Sequence, residues 1–573
     1  MADRGCRTPT GGASYAPETS PNPVLTCWVI RTHTMASLSA HENKKFLIVD
    51  DMPEMRSSLR SQLASLGHSR VAISSNVKTA VAQLEQDSFD VILCDYFLGD
   101  GSDGQQLLEH VRKRKLISRS TLFIMITAEK GYVSVMTAAE CLPDDYLLKP
   151  FTADALKLRL ESLLDKKARL AKVDAMQDKE RWPEVVAACD EIIASGDRYQ
   201  TEARRIRGNA LIACGRFDEA MAFYRQVLAI RVMPWARFGL ARAQFAQGEL
   251  EACTATLRQL IEEAPQLLSA YDLLSQIQLD AGQTDDALHT LDQACEIAPE
   301  SLSRHRAIAR VAEKKGDFTR VESALTRVVT KTRNSPLRET ADIASLGNAH
   351  AEMGAPEKAI QLIDEARKNF KSDADDPHLA AVEALAQHKA GRPELAAAAL
   401  SRALDTTPGS LPQDVALRIA RACLATGQQD KGEAILKSIV QNNPESTAVH
   451  AQVTEALNVH GTPGRAAALI QEGVQEVVAL NNEAVRRGRA GELGAAAEML
   501  TEAAERLPGN AQIVSNAAFA LLLDIYSNGP DTVKLHDALR FQKRVTMLDA
   551  RHPKLADIAE LQRRIRTKYG QTA

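Results

Sequence analysis

Two different periods of apolar residues divide this chain. From Lys45 to about Leu164, short continuous apolar runs alternate with amphipathic stretches. The runs KFLIVD, RVAIS, FDVILCD, TLFIMIT and DYLLK, which begin at Lys45, Arg70, Phe89, Thr121 and Asp145, are too short for helices and read as strands. Between and after them, EMRSSLRSQLASLG (closed by Gly67), NVKTAVAQLEQD (Asn76 as N-cap), DGQQLLEHVRKRK and ADALKLRLESLLDKKARL space their apolar residues as helices do. A further helix is expected, more loosely, over residues 129–140. Strands covered on both faces are continuously apolar, so five strand–helix units in about 120 residues predict a parallel sheet with helices on both sides.

From about residue 166 the strand pattern stops and helical pairs punctuated by glycine take over. Gly215, Gly248, Gly282, Gly316, Gly354, Gly391, Gly427, Gly461 and Gly491 follow one another at spacings of 33, 34, 34, 38, 37, 36, 34 and 30 residues. A period near 34 with helix–turn–helix content is a repeat array. The stretch AYDLLSQIQLDAGQTDDALHTLDQACEIAP carries Tyr271, a small Ala287 five residues after the turn glycine, and a terminal Pro299; the stretch around Gly208, Gly215, Ala220 and Tyr224 repeats the scheme. Small residues let paired helices approach, the turn glycine accepts a left-handed cap, and proline stops the second helix. No unit can bury its apolar face alone, so the units are expected to stack into a superhelix with a concave groove. Insertions near 331–341 and 368–380 stretch the period, and the last units drift. The helix starting at 153 has no Gly or Pro break before Lys179, so it should run from the first region into the first repeat.

The 573 residues therefore divide into a polar, aperiodic 1–43, an α/β unit over 44–165, helical repeats over 166–555 and a C-terminal helix or tail over 556–573. Residues 1–40 read as disordered, and Met35, ahead of ASLSAHENKK, is an alternative start. The net charge of −4 gives no reason to expect a nucleic-acid partner; the basic LQRRIRTKYG reads as the solvated face of a last helix. Nine cysteines without a C-x-x-C pair suit reduced thiols in a cytoplasmic protein. No apolar run reaches the length of a membrane helix, so no membrane insertion is expected.

Chemistry concentrates where the strands end. In an open parallel sheet, ligands bind outside the carboxyl ends of the strands. The first strand ends in Asp50 and Asp51, the third in Asp95, the fourth in Thr127 and the fifth in Lys149. Three carboxylates at one rim repel unless a cation neutralises them, and a hard divalent ion such as Mg²⁺ suits oxygen ligands. With the charge balanced, a carboxylate can attack a phosphoryl donor, while Lys149 and Thr127 hold the phosphoryl oxygens.

Across 44–165 these residues resemble a response-regulator receiver domain, and the repeats over about 170–555 look like a tetratricopeptide-repeat array. The resemblance implies that Asp95 is the phosphoacceptor, that Asp51, Asp95 and the backbone carbonyl of Phe97 bind Mg²⁺ directly, and that Asp50 acts mainly through water. It implies that Thr127 and Lys149 contact the phosphoryl group and that Tyr146 follows Thr127 as an aromatic switch, reshaping the surface of the fourth helix, fifth strand and fifth helix. After Asp95 the chain reads YFLGDGSDG, where the family commonly has a proline-containing loop one residue shorter; Asp100 and Asp103 read as turn-forming. Phe97 is expected to shield the site and slow loss of the phosphoryl group. Downstream no helix-turn-helix, kinase or P-loop motif is present, so the chain is expected to be no enzyme beyond assisting its own phosphorylation and dephosphorylation. The expected function is that of a phosphorelay response regulator, phosphorylated by a histidine kinase or histidine phosphotransfer protein, with a target protein held in the repeat groove. A phosphate sink or shuttle and a constitutive scaffold are the alternatives.

Overall fold

A computed structural model of the chain describes residues 44–99, 103–128, 143–333, 335, 338–369, 376–405, 411–460, 462–549 and 552–570. The expected helix over 129–140, the expected disorder of 1–40, Asp100 and Gly461 lie outside the described residues. The chain forms two compact units, 1–269 and 270–573.

The first unit opens with strands and helices in alternation: β1 (Phe46–Val49), α1 (Pro53–Ser65), β2 (Val71–Ser74), α2 (Val77–Gln86), β3 (Val91–Asp95), α3 (Gly104–Lys113), β4 (Leu122–Thr127), β5 (Asp145–Leu148) and α4 (Ala153–Asp178). The strands form one parallel sheet in the order β2-β1-β3-β4-β5. Alternate residues of each central strand feed two separate cores. Leu47, Val49, Ile92, Cys94, Phe123 and Met125 meet α2 and α3 on one face. Phe46, Ile48, Leu93, Ile124 and Ile126 meet Leu59 and Leu63 of α1 and Leu156, Leu160 and Leu164 of α4 on the other. That double covering is why these strands carry no polar alternation. Asn76 caps α2 by accepting from the Thr79 N–H at 2.9 Å, and Thr152 caps α4 by accepting from Ala155 N–H at 3.2 Å.

Helix α4 runs unbroken past the sheet and gives way to α5 (Trp182–Ala194), α6 (Gln200–Ala213), α7 (Phe217–Ile230), α8 (Pro234–Gln247) and α9 (Leu250–Glu263). Val173 of α4 joins Val185, Cys189, Ala203, Leu211 and Tyr224 in one core. Tyr224 shows why small residues recur at fixed places: a Cβ on Gly208 of α6 or Gly239 of α8 would lie 2.4 or 2.2 Å from its ring.

The second unit is helical throughout its described residues. Helices α10 (Leu268–Asp280), α11 (Thr284–Ile297), α12 (Leu302–Lys315), α13 (Phe318–Thr332), α14 (Thr340–Glu352), α15 (Pro356–Asn369), α16 (Pro377–Lys389), α17 (Pro393–Leu404), α18 (Gln413–Ala425), α19 (Gln429–Asn442) and α20 (Thr447–His460) lead to α21 (Arg465–Arg489). Helices α22 (Leu493–Arg506), α23 (Ala511–Asn528), α24 (Thr532–Leu548) and α25 (Lys554–Tyr569) complete it. The turn glycines of the array, from Gly215 to Gly427 and again at Gly491, take φ between +73° and +88°. The drift of the last units has a physical cause. Helix α21 is 25 residues long and has no proline, and it serves two cores. Ala466 and Leu469 pack with Leu436 and Val440, whereas Val477 and Ala484 pack with Leu500 and Ile513. One helix thus replaces the second helix of one unit and the first of the next.

Candidate functional site at the carboxyl edge of the sheet

The sheet delivers Asp50, Asp51, Asp95, Thr127 and Lys149 to one edge. Asp50 follows β1 and is fully buried. Its Oδ1 accepts from the Met52 N–H at 2.8 Å and its Oδ2 from Lys149 Nζ at 3.2 Å. Asp95, the last residue of β3, is 8% exposed. Its Oδ1 accepts from the Tyr96 N–H at 2.9 Å, and its Oδ2 lies 3.1 Å from Lys149 Nζ. Lys149, just past β5, therefore spans two carboxylates with one ammonium. Asp51 is exposed beside them, and carboxylate oxygens of Asp50, Asp51 and Asp95 lie within 4.8 Å of one another. Thr127 ends β4, is 1% exposed, and its carbonyl accepts from the Lys149 N–H at 2.8 Å. Tyr146, on β5, is half-buried against the core beneath α2 and α3.

The loop after Asp95 is pinned at its base. Phe97 pairs with Asp103 as an isolated antiparallel bridge, and the Gly104 N–H donates to the Tyr96 carbonyl at 2.7 Å. Asp103, read from the sequence as turn-forming, caps α3 by accepting from the Gln106 N–H at 2.7 Å. The Phe97 side chain is 50% exposed. Gly99 (φ +64°) brings the loop over Asp51; a Cβ there would sit 3.2 Å from Asp51 Oδ2.

Burial pushes the Asp95 carboxyl above the usual carboxylate range; Lys149 opposes that shift and Asp50 reinforces it. Burial also pushes the neighbouring Cys94 thiol well up, so it stays protonated and inert. Three carboxylates face one ammonium, which leaves net negative charge on an oxygen-only donor set. That set fits a hard divalent cation such as Mg²⁺.

Two positioning residues escaped the sequence reading. Arg56, one turn into α1, donates from Nη1 to the Asp50 carbonyl at 2.6 Å and fixes the end of β1. Gly104 lets α3 start against β3: a Cβ there would lie 2.4 Å from the Asp95 carbonyl oxygen and 2.7 Å from Met125 Sδ. The DG pair at the helix start was the available signal for Gly104. Arg56 carried none, because a lone arginine in a helical pattern is ordinary.

A family model described as response regulator receiver domain matches residues 46–161. Tetratricopeptide repeat models match residues 211–277, 268–301, 345–411 and 387–455. The chain is 31% identical over 126 residues to chemotaxis protein CheY-3 of Vibrio cholerae, spanning 22% of this chain and 95% of that protein. It is 32% identical over 122 residues to chemotaxis protein CheY of Pseudomonas aeruginosa, spanning 21% and 97%. Among solved structures, the Francisella response regulator 1452 receiver domain is 26% identical and covers 22% of this chain and 98% of its own, with a TM-score of 0.20. The chain belongs to the response regulator receiver family through its sheet domain and carries tetratricopeptide repeats after it. Among the described residues, no helix is long and apolar enough to cross a membrane.

Proposed function

We propose that this protein is a cytoplasmic, phosphorelay-driven adaptor: Asp95 takes a phosphoryl group, and the repeats bind a target protein according to its presence. The observation that carries the reading is the triad itself. A buried carboxylate stands at a sheet edge with two further carboxylates within 4.8 Å and an ammonium at 3.1 Å. An Asp95 oxygen attacks the phosphorus of a phosphohistidine on a histidine kinase or histidine phosphotransfer protein. The P–O bond forms as the P–N bond breaks, and the imidazole leaves with a proton. Asp51, Asp95 and the Phe97 carbonyl would hold Mg²⁺, with Asp50 acting through water; the ion supplies charge neutralisation at the phosphoryl oxygens. Lys149 moves from pairing with carboxylates to pairing with a phosphoryl oxygen, and Thr127 donates its hydroxyl to another. Tyr146, beside them on β5, follows Thr127, and Phe97 shields the acyl phosphate from water.

The test is phosphorylation of the full chain by acetyl phosphate with Mg²⁺. The expected product is one acyl phosphate per chain, cleaved by hydroxylamine and absent in Asp95→Ala. Label persisting in Asp95→Ala at the wild-type level would reject the assignment.

A further inference from the structure

Helix α4 belongs to two cores at once. Leu156, Leu160 and Leu164 pack under the sheet, and Val173 packs with the first repeats. Between those patches the helix is held to the receiver by a second set of contacts. Lys167 Nζ lies 2.9 Å from Asp144 Oδ1, with both side chains about five-sixths buried (16% and 15% exposed), and it also donates to the Arg119 carbonyl. Further along, Asp178 Oδ2 accepts from the Arg119 N–H at 3.3 Å, and Lys115 Nζ pairs with Glu180 at 2.9 Å.

Asp144 is the knot of this joint. Its N–H donates to the Phe123 carbonyl at 2.8 Å, and its Oδ2 accepts from the Phe123 N–H at 2.9 Å. Arg112 of α3 lies 3.6 Å from the same oxygen. Phe123 is near the start of β4, and Asp144 immediately precedes β5. The opposite ends of these two strands are Thr127 and Lys149, the two groups placed against the phosphoryl site. Four or five strand residues, roughly 15 Å, separate the site from the knot. Close-packed strands move as bodies and do not stretch, so a shift at one end is delivered to the other.

We infer that the Asp144–Lys167 pair is the coupler that carries displacement of β4 and β5 out of the receiver and into the first repeats through α4. The inference rests on the phosphorylation reading above. A buried ion pair is intolerant of misalignment, whereas the parallel Lys115–Glu180 pair, 79% and 64% exposed, holds almost nothing. The burden therefore falls on Lys167.

Hydrogen exchange of the full chain, with and without Mg²⁺ and beryllofluoride, tests it. In the wild type, exchange should change at residues 95–99 and also, by about fivefold or more, at residues 167–194. Lys167→Met and Asp144→Asn, the second of which keeps an acceptor for Phe123, should retain the response at 95–99 and lose the one at 167–194. Lys115→Ala should behave as the wild type. The coupler is overturned if 167–194 responds undiminished in both variants, or never responds while 95–99 does. Silence at 95–99 in the wild type would instead remove the phosphorylation reading, and the coupler with it.

Discussion

Asp174 shows how much a single side chain can cost at a joint. It lies on α4 beyond the receiver core, 6% exposed, and its Oδ2 has no hydrogen-bond partner among the described residues. Burial raises its pKa; Lys167 and Arg119 pull it down, while Asp178 and Asp144 push it up. A raised carboxyl pKa means that the folded state prefers the neutral acid. The stabilising contribution is complete below the ordinary carboxylate range and is lost as pH rises through the folded pKa. At neutral pH the charged form is therefore a burden. Asp174→Asn is expected to stabilise the chain at pH 7, because it removes the buried charge while keeping the side-chain shape. The advantage should shrink toward zero as pH falls below the ordinary carboxylate range. Urea unfolding of both proteins from pH 7 down to acid measures it; an advantage that grows on acidification would mean that Asp174 is held as a functional anion.

At the scale of elements, the long helices are the informative ones. Helix α4 was legible because nothing between Ala153 and Asp178 breaks a helix, and the structure ends it at Asp178 with Lys179 as cap. The three central strands were legible for a different reason: burial on both faces leaves a run of apolar residues that no solvated strand carries, whereas β2 and β5 at the sheet edges are only partly buried and were legible as short apolar runs. The meeting of Asp144 with Lys167 was not legible. It depends on where the middle of α4 lies against the start of β5, 23 residues earlier in the chain, which no local period encodes. The dual role of α21 was hidden similarly, since a glycine count assumes one turn per unit. A rigid α4 makes a definite prediction. Ala171→Pro removes one i→i−4 hydrogen bond and clashes with the preceding turn, at a cost of about 3 kcal/mol or more. Limited proteolysis should leave the wild type intact between 166 and 181 and cut the variant there. Ready cleavage of the wild type near residue 170 would mean a hinge in place of a strut.

For the whole molecule, the open matter is what the repeats do with the phosphoryl state. The two chemotaxis relatives span only 22% and 21% of this chain, so their activities say nothing of its repeats. A phosphate sink needs only fast turnover at Asp95, with repeats that dock to a kinase in one fixed way. An adaptor needs the state of Asp95 to reach the repeats, and α4 offers a physical route, since one helix contributes side chains to both cores. Energy decides whether that route matters. A mimic held a hundredfold above its Kd stabilises the form it binds by about 2.7 kcal/mol, enough to invert a population ratio of about ten. Capture of partners by the full chain is therefore expected to differ with Mg²⁺ and beryllofluoride. The difference should vanish in Asp95→Ala and weaken in Lys167→Met, which leaves the phosphoryl site untouched. A wild-type partner set that the mimic leaves unchanged would assign the repeats to constitutive docking, and the receiver to moving phosphoryl groups.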